Sequence, residues 1–130
     1  MIKQILLIDD DPIINFIHSK IIQRKFPDTA ILIFENGHKG LMHIKNNPTN
    51  SYLIFLDLNM PEMNGWEFLS AISLEFAEVT LQIHIVTSSI DPEDRKESRN
   101  YKQILSFLTK PLKAEKLETI VFDYSSKDEK

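Results

Sequence analysis

The chain has 130 residues, enough for one domain whose hydrophobic core needs no staples. Apolar residues make up 42% and charged residues 26%, an ordinary globular mixture, and the absence of cysteine excludes disulfides, thiolate metal sites and cysteine catalysis. The net charge of −4 argues against a coat for nucleic acid, no apolar run is long enough to span a bilayer, and the first residues lack signal-peptide features, so a cytoplasmic protein with neither nucleic-acid nor membrane partners is expected.

Short β-rich runs alternate with amphipathic ones. Ile5 to Ile8 is a continuous apolar run, as in a strand buried on both faces. Asp11-Pro12 supplies an N-cap and a first-turn proline for a helix whose inward face is expected to be Ile14, Ile17 and Ile21, broadened by Ile13, Ile22 and Phe26. Ala30 to Phe34 is the second strand, and a helix from about His38 to Asn46 turns Leu41 and Ile44 inward. The third strand, Tyr52 to Leu56, stops at Asp57, and a loop leads to Gly65 and a helix with Leu69, Ile72 and Phe76 on one face. Ile83 to Val86 is the fourth strand, ending at Thr87.

The helix that begins near Asp91-Pro92 differs from the rest. From there to Gln103 the only large apolar side chain is Tyr101, so this helix is expected to be exposed and marginally stable. Leu105 to Leu108 forms the fifth strand, and the last helix uses Leu117, Ile120, Val121 and Tyr124. Strict alternation of this kind, (βα)5, implies a parallel sheet covered by helices on both faces, with no linker to a second domain.

Open parallel sheets bind ligands outside the carboxyl ends of their strands, so the residues that end each strand carry the chemistry. The first strand ends in Asp9, Asp10 and Asp11, the third in Asp57 followed by Asn59, the fourth in Thr87 and Ser88, and the fifth in Thr109 and Lys110. If the first and third strands are neighbours, Asp9, Asp10 and Asp57 converge. Three carboxylates at close range repel, and a hard divalent cation such as Mg²⁺ removes the conflict. Carboxylate nucleophile, metal, lysine and hydroxyl together suit phosphoryl transfer, in which positioning and charge neutralisation supply most of the catalysis.

Each residue also has an ordinary structural role available to it. A strand-end aspartate usually caps or turns, and Asp11 before Pro12 is assigned that role. His18 is expected at a helix boundary, His84 in packing, and His38 and His43 are poorly spaced to share a metal. Trp66, Phe68 and Phe76 are expected to pack. Three glycines cannot build either nucleotide-binding glycine loop.

Four segments in order complete the pattern: Ile8-Asp9-Asp10-Asp11-Pro12, Leu56-Asp57-Leu58-Asn59-Met60-Pro61 with Gly65 beyond, Val86-Thr87-Ser88, and Phe107-Leu108-Thr109-Lys110-Pro111. In these the chain resembles the receiver domains of two-component response regulators. The resemblance implies a flavodoxin-like doubly wound α/β fold with strand order 2-1-3-4-5, a receiver over residues 1–124 and a short polar tail over 125–130. It implies Asp57 as phosphoacceptor, with Asp9, Asp10, Asp57 and the backbone carbonyl of Asn59 holding Mg²⁺, or Mn²⁺ in its place. It implies Thr87, Ser88 and Lys110 as phosphoryl-binding groups, Phe107 as the switch aromatic, and a cis Lys110-Pro111 bond. Phenylalanine at the switch position favours an apolar readout over a polar one. Asn59 and Ser89 fall where the family varies and tunes the lifetime of the acyl phosphate.

The implied partners are a sensor histidine kinase or His-containing phosphotransfer protein, and a downstream protein that docks on the face of Tyr101 and Phe107. The same face, formed by the fourth helix, fifth strand and fifth helix, is the one expected to serve in any homodimer. The chain is expected to be a stand-alone switch, not an enzyme with turnover. An aspartyl-phosphate hydrolase of the haloacid-dehalogenase type would carry a second Asp as general acid two residues beyond the nucleophile, and Asn59 stands there. A phosphorylation-independent module on the same fold would be expected to have lost acidic or lysine positions, and all are present.

Overall fold

The computed structural model describes residues 4–75, 79–89 and 91–119. Its elements are β1 (Gln4–Ile8), α1 (Pro12–Lys25), β2 (Ala30–Phe34), α2 (Gly37–Asn46), β3 (Ser51–Leu56), α3 (Gly65–Glu75), β4 (Thr80–Thr87), α4 (Pro92–Ser98) and β5 (Ile104–Thr109). A further helical stretch, α5, covers 114–119. The strands form one parallel sheet in the order β2-β1-β3-β4-β5, the doubly wound arrangement expected from the alternation. The central strands β1 and β3 are the continuous apolar runs, and their residues from Ile5 to Ile8 and from Tyr52 to Leu56 are buried. Edge strand β2 is more open, with Ile33 exposed.

Apolar burial divides into two clusters. Leu6, Ile8, Ile54, Leu56, Ile83 and Ile85 pack with Leu41 and Ile44 of α2 and with Phe68, Leu69 and Ile72 of α3. Ile5, Leu7, Leu53, Phe55 and Val86 pack with Ile22 of α1, Phe26, Leu112 and Leu117. Alternate residues along each strand feed the two clusters, as the two-residue period of a strand requires. Phe76, Ile120, Val121 and Tyr124, expected to face inward, lie outside the described residues.

The inward face of α1 is only in part the one its isoleucines suggest: Ile22 and Phe26 are buried and Ile21 packs against their cluster, but the face is turned away from Ile13 and Ile17. Ile13 is 70% and Phe16 63% exposed, with Ile17 also exposed, while Asn15, His18 and Ile22 are buried. This helix carries apolar side chains around much of its circumference, so hydrophobic spacing cannot choose a face. Two polar contacts choose it. Asn15 Nδ2 donates to the Asp9 carbonyl at 2.8 Å, and His18 Nε2 accepts from the Leu112 amide at 2.9 Å. His18 is therefore a core residue and not a boundary one. The cap is as expected, with the Asp11 side chain accepting from the Ile13 and Ile14 amides.

Helix α4 is short and mostly exposed, in keeping with its polar sequence. Between β4 and β5 the register slips by one residue. Ile83 pairs with Ile104, but His84 pairs with Ser106, so Leu105 is extra. His84 packs as expected, stacked on Phe55 and bonded through Nδ1 to Ser106 Oγ at 2.6 Å.

Candidate functional site

Strand register builds the site. Ile8 pairs with Leu56, so Asp9 and Asp57 are the next residues on adjacent strands. Their backbones are tied to the sheet: Asp9 N donates to Phe34 O at 3.0 Å and Asp57 N to Ile8 O at 2.9 Å. On the other side Thr87 pairs with Thr109, and Lys110 N donates to Thr87 O at 2.9 Å. Four strand ends thus converge on one edge of the sheet.

Asp9, Asp57 and Thr87 are buried. Lys110 Nζ bridges the two carboxylates, 2.7 Å from Asp9 Oδ2 and 3.2 Å from Asp57 Oδ2. Burial pushes the Asp57 carboxyl above the usual aspartate range, the neighbouring Asp9 charge pushes the same way, and Lys110 opposes both. For Lys110 burial disfavours the ammonium, but its bonds and attraction to Asp9 and Asp57 outweigh that and hold its pKa above the ordinary lysine value.

Asp10 is exposed, yet carboxylate oxygens of Asp9, Asp10 and Asp57 all lie within 4.8 Å of one another. The donor set is hard oxygen, which suits Mg²⁺. Asp57 Oδ1 is buried without a hydrogen-bond partner among the described residues. An unsatisfied buried carboxylate oxygen beside two further carboxylates is where a hard cation fits.

The other expected residues are spread around this centre. Asn59 is exposed in the loop after β3, Ser88 is exposed beyond Thr87, and Ser89 N donates to Thr87 Oγ1 at 3.3 Å. Phe107 is half-buried under the Arg95 guanidinium, 4.8 Å from the ring centroid. Tyr101 stacks on Trp66 of α3 with centroids 6.0 Å apart. The Lys110-Pro111 bond is cis.

Three participants escaped the sequence reading. Asn15 and His18 brace the site from α1. Asp94 in α4 accepts from Ser89 Oγ at 2.5 Å and from Trp66 Nε1 at 3.1 Å, so one carboxylate ties α4 both to the loop after Thr87 and to α3. Asn15, His18 and Ile22 do share a helical face, and that alignment of two polar residues with an apolar one was the available signal. Nothing local in the sequence points from Asp94 to Trp66.

Residues 5–122 match the family model described as the response regulator receiver domain. The probable C4-dicarboxylate response regulator DctR of Halalkalibacterium halodurans is 26% identical over 121 residues, covering 93% of this chain and 50% of that protein. The sensor histidine kinase CheAY of Helicobacter pylori is 30% identical over 103 residues, covering 78% of this chain and 13% of the kinase. The chain thus spans about half or less of the length of these relatives. Among solved structures, a two-component response regulator from Cytophaga hutchinsonii superposes with a TM-score of 0.78 at 26% identity, covering 95% of this chain and 96% of that one. No helix among the described residues is long and apolar enough to cross a membrane.

Proposed function

Because the chain belongs to the response regulator receiver-domain family, a family of signalling switches, we propose that Asp57 accepts a phosphoryl group from a sensor histidine kinase or a His-containing phosphotransfer protein and that the chain then signals by docking. One observation carries this reading: the Lys110 ammonium held between two buried carboxylates, one of which keeps a buried oxygen without a hydrogen-bond partner among the described residues. That is a site for charge to arrive, not a finished salt bridge.

An Asp57 carboxylate oxygen attacks phosphorus in line as the bond from phosphorus to the donor imidazole nitrogen breaks. The electron pair stays on the imidazole and an acyl phosphate remains on Asp57. Mg²⁺, or Mn²⁺ in its place, held by Asp9, Asp10, Asp57 and the Asn59 carbonyl, supplies charge neutralisation when bound. Lys110 stays protonated and offsets charge on the transferring group. The Thr87 hydroxyl donates to a phosphoryl oxygen, with Ser88 beside it.

Drawing Thr87 toward the phosphoryl group opens space into which Phe107 turns. A two-state switch of this kind needs about 5.5 kcal/mol of differential stabilisation to move from roughly 1:99 to 99:1. New bonds from a dianionic group to Lys110 and Thr87 are of the right kind to provide it. The face of α4, β5 and α5, with Tyr101 and Phe107, then meets the downstream protein or a second copy. The same reading has the chain working in the cytoplasm, with neither nucleic acid nor membrane as partner.

The test is incubation with Mg²⁺ and acetyl phosphate followed by intact-mass analysis of wild type and Asp57→Ala. Wild type gains one phosphoryl adduct and the variant gains none. An adduct that persists in Asp57→Ala overturns the assignment.

A further inference from the structure

His18 lies on α1, outside the strand-end motifs, and 94 positions separate it from the residue it holds. It is 1% exposed, and its Nε2 accepts from the Leu112 amide at 2.9 Å. Pro111 has no N–H, so Leu112 carries the first backbone donor after Lys110. On the near side, Lys110 N is fixed to the Thr87 carbonyl at 2.9 Å. The two anchors therefore bracket Lys110-Pro111: one is a sheet bond, the other is His18. Between them the Lys110 side chain reaches 2.7 Å from Asp9 and 3.2 Å from Asp57.

We infer that His18 is a positioning residue for phosphoryl transfer, holding the backbone beyond Pro111 so that the Lys110 ammonium is aimed between Asp9 and Asp57. The inference rests on the reading of Asp57 as phosphoacceptor. Two features support the choice of histidine. An apolar residue would fill the same volume but leave a buried amide without a partner, at the cost of an unmade hydrogen bond. Nε2 also faces a backbone N–H and so is the ring's acceptor nitrogen, and burial lowers the imidazole pKa in the same sense, with Asp9 opposing and Lys110 assisting. The neighbour Asn15 does the parallel task for Asp9 by donating to its carbonyl at 2.8 Å. Helix α1 thus supports both charged partners of the bridge from behind.

A merely structural role for His18 is separable from a positioning one. The variants are His18→Leu, which keeps bulk without an acceptor, and His18→Gln, whose side-chain amide carries an acceptor near the Nε2 position. With Mg²⁺ and acetyl phosphate, His18→Leu should take up phosphate roughly ten- to a hundredfold more slowly, the scale expected when a catalytic group is misplaced by about 1 Å. His18→Gln should recover most of that loss. In a Lys110→Ala background, His18→Leu should add no further slowing. Wild-type rates in His18→Leu, or an equal loss with and without Lys110, overturn the proposal.

A second measurement needs no phosphate. The ¹⁵N signal of the Lys110 ammonium in metal-free protein should move toward that of a solvated lysine in His18→Leu and stay near wild type in His18→Gln. An unmoved signal in His18→Leu also overturns the proposal. Failure of wild type to accept phosphate would count against the functional reading instead, and the Lys110 signal would still decide the role of His18.

Discussion

Lys110 stands closer to Asp9 than to Asp57, 2.7 Å against 3.2 Å, so the lysine is bound first to the proposed metal-site carboxylate and second to the proposed phosphoacceptor. Under the proposed function, a cation in that place would compete with Mg²⁺ for the same oxygens while helping phosphate to arrive. Lys110→Ala should separate the two effects. Phosphorylation from acetyl phosphate should slow by about a hundredfold, the scale seen when a preorganised charge partner is removed. Mg²⁺ affinity, measured by titration calorimetry, should hold or rise. A clear loss of Mg²⁺ affinity would show that Lys110 orders the carboxylates more than it competes for them.

The raised pKa of Asp57 carries a stability consequence with a definite sign. A carboxyl whose native pKa lies above its unfolded value binds more protons in the native state, so stability falls as pH rises from the unfolded value through the native one. In metal-free protein near neutral pH Asp57 thus destabilises the fold relative to acid pH, where both states hold the proton. Asp57→Asn should raise the melting temperature there, by about 4 °C if the gain is about 1 kcal/mol. The gain should shrink on acidification and shrink again when Mg²⁺ is added to wild type. A variant that melts lower at neutral pH would refute this.

Gly65 begins α3 directly over the residues that follow β3. A Cβ there would lie 2.6 Å from the Asp57 carbonyl oxygen and 2.8 Å from Leu58 Cα. Both are backbone atoms that cannot swing aside. Gly65→Ala should therefore cost about 1–3 kcal/mol, the usual range for forced overpacking, and should displace Asp57 as well. Urea denaturation would give the first number and the acetyl phosphate rate would report the second.

Asp94 gathers the Ser89 hydroxyl and the Trp66 indole N–H onto one carboxylate. Asp94→Ala should remove α4 from its tether at a local cost of about 1–3 kcal/mol, with little change in the core. Amide exchange should quicken through 92–98 and remain as in wild type in β1 and β3. Trp66 is the single tryptophan, so its fluorescence should shift in the same variant. Unchanged exchange in α4 would mean that its packing on β5 holds it without the tether.

The sequence was most legible where one physical rule acted alone. Unbroken apolar runs marked β1 and β3 as central, and their acidic ends then met because neighbouring parallel strands stop together. Asp11 announced itself as a cap through Pro12. Legibility failed in part on α1, where periodicity set Ile13 and Ile17 inward with Ile22 and Phe26, although the first two are exposed. The winning face was set by hydrogen bonds to Asp9 and Leu112, partners invisible to a local window. The tie from Asp94 to Trp66 failed for the same reason: it joins side chains 28 positions apart that no spacing rule connects.

The extra residue Leu105 has a consequence for how this site tolerates change. Because of it, Phe107 pairs with Ile85 and Leu108 with Val86, which places each in the cluster of its partner, and Thr109 reaches Thr87. Without that slip Phe107 would fall opposite Val86 and turn toward the α1 side of the sheet. Lys110 would then stand one place further past Thr87. The spatial address of the lysine is thus set by the bulge: with Leu105 drawn into a regular ladder, every residue from Ser106 to Lys110 would stand one place further along β4, with each letter of the Phe107-to-Pro111 segment intact.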